Sequence, residues 1–208
     1  MSRHFQRSVW LHPLSPQGRS RRAFLGAAMA FATGTVDAAP AGQAEPLRLA
    51  FRGTGFVHRW SKADQHEFTL APDTDLNSWS DMITLNVHAK ARQGEQLADV
   101  ANQVVANYQR HGKVLLTRSE PRTATRPAEH LIVAVLGGPQ LREAAFARCL
   151  LHDGMGLVAV VSHRAYGPAA EADIHRWLAA QGQATEQALT AWATLPSPAR
   201  LNLLPRTA

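Results

Sequence analysis

EQLADVANQVVANYQRHG, residues 95–112, is the stretch whose reading decides the fold. Leu97, Val100, Ala101, Val104, Val105 and Tyr108 recur at helical spacing, so a helix over 95–111 carries them as one apolar stripe. Glu95 and Asp99 fall at the end where the helix dipole is positive, Arg110 and His111 where it is negative. Gly112 stands where a left-handed terminating residue is expected. A stripe this wide needs a broad apolar surface to lie on, and the flanking sequence supplies strands.

On the N-terminal side, Phe56, His58 and Trp60 alternate with Val57 and Arg59, and His66, Phe68 and Leu70 alternate with Glu67 and Thr69. Ser61-Lys62-Ala63-Asp64 between them reads as a hairpin turn. A first strand over 47–51 is possible. In the strand over 82–89, Ile83, Leu85 and Val87 take one face and Met82, Thr84, Asn86 and His88 the other, a half-polar pattern expected on a wetter side. On the C-terminal side, 113–117 reads as a short strand. The run 130–136, with Ile132, Val133 and Val135, suits a strand covered on both faces. Residues 141–153 are open between two readings: their alanines suit a helix, while their length and glycine-rich flanks suit a strand paired to 157–166 through a turn at Gly154-Met155-Gly156. Pro168 opens a terminal helix with Ile174, Trp177, Leu178, Ala188, Leu189 and Trp192 on its inner edge, interrupted at Gly182. Residues 196–208 read as a loose tail containing Pro and Arg.

The fold expected is α+β: an antiparallel sheet of about six to seven strands with one internal helix and a C-terminal helix packed on it. This element order over residues 55–195, with Trp60, Trp79 and the helix segment 104–108 in place, resembles the PsbP-type sandwich of extrinsic photosystem subunits. No short family motif matches, so no functional residue carries over. The rival is a helix-grip domain, in which a curved sheet wraps a long terminal helix.

Ahead of this domain stand Ser20-Arg21-Arg22-Ala23-Phe24-Leu25-Gly26, a short apolar run, and Ala38-Ala39-Pro40-Ala41. The pattern resembles a twin-arginine export signal, with Gly26 in place of the usual final Lys. The resemblance implies a signal over 1–41, cleavage after Ala38 or Ala41, a leader over 42–54 and a periplasmic destination. It also implies a route that carries folded proteins. The apolar run is shorter than the roughly 20 residues that span a bilayer, so no permanent membrane anchor is expected once the signal is removed.

The formal charge is +6, but residues 1–38 hold Arg3, Arg7, Arg19, Arg21 and Arg22 against Asp37, leaving about +2 on the rest. That balance, without basic and aromatic residues interleaved, gives no nucleic-acid partner. A single cysteine, Cys149, excludes an internal disulfide and reads as a buried filler.

Three site readings follow. His58, His66 and His88 fall on neighbouring strands, where rings can converge on a metal if register allows. His163, Arg164 and Tyr166 end a strong strand before a helix, and with His130 offer groups for a carboxylate or phosphate; alternation, however, sends His163 one way and Arg164 with Tyr166 the other. Arg118, Arg122 and Arg126 surround a Pro-containing loop and suit an anionic partner. No motif names a cofactor or a nucleophile. The function expected is that of an exported accessory or binding protein. It docks on an envelope protein or holds a small apolar or anionic ligand between the sheet and the terminal helix. The alternative is a His-based metal carrier or metal-dependent enzyme.

Overall fold

The computed structural model describes residues 47–207; Arg21, Arg22 and the rest of the expected signal lie outside them. The elements are β1 (Arg48–Phe51), β2 (Thr54–Lys62), β3 (Gln65–Leu70), β4 (Asp81–His88), α1 (Gly94–His111), β5 (Gly112–Glu120), β6 (Glu129–Gly138), β7 (Leu141–His152), β8 (Met155–Tyr166), α2 (Ala170–Thr190) and α3 (Pro198–Asn202). The chain is α+β, and its strands form one open sheet of eight in the order β1-β2-β3-β4-β8-β7-β6-β5. Every neighbouring pair is antiparallel. Two four-stranded meanders thus meet at a β4–β8 seam, with Ile83 opposite Val161 and Leu85 opposite Ala159.

The strand number exceeds the six to seven expected. Residues 48–51, within the expected leader, form the first strand that the sequence offers there: they pair with β2 across Arg52-Gly53, both at positive φ (49° and 76°), the backbone of a tight two-residue hairpin. The β7–β8 turn uses the same geometry at Asp153-Gly154, one residue earlier than the glycine pair suggests. β7 is a strand because its alternation serves two layers. Ala144, Phe146, Arg148 and Leu150 face α2, with Phe146 edge-on to Trp177 and Arg148 bonded to the Leu189 and Trp192 carbonyls. Glu143, Ala145, Ala147 and Cys149 face α1, which covers β5, β6 and β7. The alanines are there to let helices approach closely on both sides.

α1 buries Leu97, Val100, Ala101, Val104 and Tyr108, as its stripe requires. Each Val or Leu so buried contributes roughly 1.5–3 kcal/mol. Gln96 reaches back to accept the Arg92 and Gln93 N–H groups and so starts the helix. Gly112 ends it, but not in the left-handed conformation: its φ of 174° is extended. Glycine is needed because a Cβ there would lie 2.1 Å from the Val135 carbonyl oxygen.

α2 runs unbroken through Gly182, where a Cβ would lie 3.7 Å from Leu178 Cδ2 and 3.9 Å from Phe146 Cζ. The glycine marks close packing on β7 rather than an interruption. The interval between sheet and α2, where a ligand was expected, is filled by Phe146, Ala159, Ile174 and Leu189, all buried. The stretch after Pro196 is not loose either. Ser197 caps α3 through the Arg200 N–H, Leu201 is fully buried, and the Thr207 N–H donates to the Ser61 carbonyl. With Trp192 and Leu195 it covers Leu49, Phe51, Phe56 and Phe68 of the first meander. The second face of β4 is wetter only at its end: Met82 and Thr84 are buried, while Asn86 and His88 are half-buried.

Candidate binding site

The histidines expected at a metal separate by register. His66 lies opposite Leu85 and His58 opposite Phe68, which puts both rings on the α2 face. A bulge at Arg59 brings Ser61 to the same face, and its hydroxyl joins the two rings: His58 Nε2 at 2.7 Å and His66 Nδ1 at 2.8 Å. His88, one residue on from Val87, points to the α1 face, so the three rings do not converge. Burial pulls His66 down to about 4, and the charges of Arg206 and His58 act in the same direction. Burial also lowers His58, His88 and His130. Among the described residues no group of three or more His, Cys, Asp or Glu is placed to hold a metal.

The strand-end trio divides as alternation requires. His163 stacks flat on Trp177, with ring centres 4.5 Å apart, and its Nδ1 lies 3.0 Å from Asp81 Oδ1. Arg164 turns to the α1 face, donates to Glu143 Oε2 at 2.8 Å and lies 3.9 Å over the Trp79 ring. Tyr166 Oη accepts from the Trp79 N–H and donates to its carbonyl, so Arg164 and Tyr166 together latch the loop before β4. His130 shares a hydrogen bond with Ser119 at 2.8 Å, far along the sheet from this latch. Cys149 is fully buried and its thiol is pushed up to about 12, consistent with filler.

Arg118 is an expected site residue that lies at a cleft. β5 is an edge strand, and α2 lies over β7 and β8, leaving a depression of about 550 Å³ between β5 and the second half of α2. Arg118, Gln183, Glu186, Gln187, Thr190 and Ala191 line it. The Arg118 guanidinium pairs with Glu186 and with Glu120 at 3.4 Å, while its side chain stays 40% exposed. Arg122 and Arg126 follow on the exposed loop after β5. Sequence patterns give the arginines but not the α2 side of the cleft, because Gln183, Glu186, Gln187 and Thr190 read as an ordinary outer helix face.

Also unforeseen were a buried ion pair, Arg164–Glu143, and a partly buried one, Arg148–Glu129, both at 2.8 Å. The signal for them was charge inside apolar runs, at Glu143, Arg148 and Arg164. Among the described residues no helix is long and apolar enough to cross a membrane. No protein-family model matches the chain, and comparison with curated proteins gives no significant relative.

Proposed function

We propose that this is an exported accessory domain of the cell envelope that binds rather than transforms. An anionic group, on a partner protein or a small ligand, enters the cleft between β5 and α2. The observation that carries the reading is Arg118: a half-exposed guanidinium, already oriented by Glu120 and Glu186, at the rim of a cleft whose other lining residues are Gln183, Gln187, Thr190, Ala191 and Glu186 itself. A carboxylate or phosphate displacing Glu186 would gain a two-pronged bond that such a guanidinium is shaped to give. Export rests on Arg21 and Arg22 ahead of the apolar run. Packing of helices on both faces of the sheet favours a PsbP-type sandwich over a helix grip.

Two experiments test this. Titrating inorganic phosphate and a short oligoglutamate peptide against labelled protein should shift the Arg118 Nε–H and the Gln183 and Gln187 side-chain amides first. Shifts confined to other regions would contradict the site. Replacing Arg21 and Arg22 by Lys should leave the protein in the cytosolic fraction; unchanged export would remove that claim.

A second reading, a His-based metal carrier, draws on the His58 and His66 rings sharing Ser61. Stoichiometric metal in untagged protein, lost in His66→Gln, would establish it in place of the first.

A further inference from the structure

We propose that β5 is a self-complementary edge through which two copies of this chain pair about a two-fold axis, continuing one sheet into the other. This inference needs no ligand in the cleft, although Glu120 also pairs with Arg118 there. The sheet has two edges: β1 is four residues long, while β5 is nine, with Leu115 47% exposed. A long edge strand with an exposed leucine is a template for another strand.

The occupant is argued from charge and register. Against β6, Lys113, Leu116, Arg118 and Glu120 lie opposite Val135, Val133, Leu131 and Glu129; Val114, Thr117 and Ser119 lie opposite Ala134, Ile132 and His130. The first set therefore shares one face and the second the other, with Leu115 the extra residue of a bulge. A two-fold axis normal to the sheet pairs β5 with itself antiparallel and keeps each face with its like. Centred on Thr117, it sets Leu116 beside Arg118 of the second copy and, counting Leu115 as bulged in both, Ser119 beside Val114. Glu120 then meets Lys113 of the second copy, twice per dimer. An edge guarded by a lysine and a bulge resists unselective pairing, and here the same two features fit only one register. The paired Arg118 clefts would open on one face, either side of the axis.

The test uses sedimentation of the full chain over a concentration series. Wild type should dimerise. Lys113→Glu and Glu120→Lys should each weaken self-association about tenfold or more, because two attractive contacts become repulsive. An equimolar mixture of the two variants should associate, each supplying the charge the other lacks, and the double variant should recover the wild-type dimer. Both positions lie on the open edge, so unchanged melting temperatures at concentrations where every form is monomeric serve as the folding control. A chain that stays monomeric at its highest soluble concentration overturns the proposal, and so does a dimer indifferent to both reversals or a mixture that fails to associate.

Discussion

Arg164 shows how much a single buried charge is made to depend on its neighbours. It is 8% exposed, and its guanidinium is held by the Glu143 carboxylate, itself 5% exposed, and by the Trp79 ring. Glu143→Ala leaves that charge buried without compensation, and a loss of roughly 3–5 kcal/mol is expected in urea unfolding. Replacing both partners, Glu143→Leu with Arg164→Met, should cost less than the single change, since nothing charged is then left inside. His66 gives a pH dependence of defined sign. Its pKa is about 4 in the fold, below the ordinary 6.5, so between these values the unfolded chain binds more protons than the folded one. Stability from this residue is full above pH 6.5 and is lost as pH falls to about 4, on the order of 3 kcal/mol. His66→Leu should flatten that slope in unfolding measured at pH 7 and pH 4.5. The opposed directions of His163 and Arg164 were legible in the sequence, because alternation is a local rule. The strand that carries Glu143 was legible as the hairpin partner of β8, but Asp81 was not, because the strand on the other side of β8 is settled by topology, not by spacing.

Elements were read more securely than their ends. The α1 stripe and the run at Ile132 set the helix and a covered strand without ambiguity, since burial of that much apolar surface has one geometric solution in each case. Gly112 shows the limit: the terminating glycine was in place, but its reason is the approach of β6 rather than a left-handed turn. Gly112→Ala should therefore destabilise by about 1–3 kcal/mol through displacement of Val135, whereas Gly138→Ala, with open space around its Cβ, should stay within about 0.5 kcal/mol. The tail misled because Pro and Arg look like punctuation when the surface they will cover is unknown. Leu201, within it, is fully buried, and Leu201→Ala should cost roughly 2–5 kcal/mol in thermal or urea unfolding.

At the scale of the whole molecule, one seam makes one sheet. β4 ends the first meander and β8 the second, and their pairing leaves β1 and β5 as the outer strands. That arrangement places the cleft and the open edge on the same side of the chain. Local sequence carries no sign of it, since β4 and β8 lie more than sixty residues apart and each reads equally well against its sequence neighbour. The order of strands is thus the claim from which the binding margin follows. Interstrand nuclear Overhauser effects on labelled protein measure it most directly. Contacts of Ile83 with Val161, Leu85 with Ala159 and Asp81 with His163 are the expected result. Contacts of β4 with β5, or their absence between β4 and β8, would contradict it.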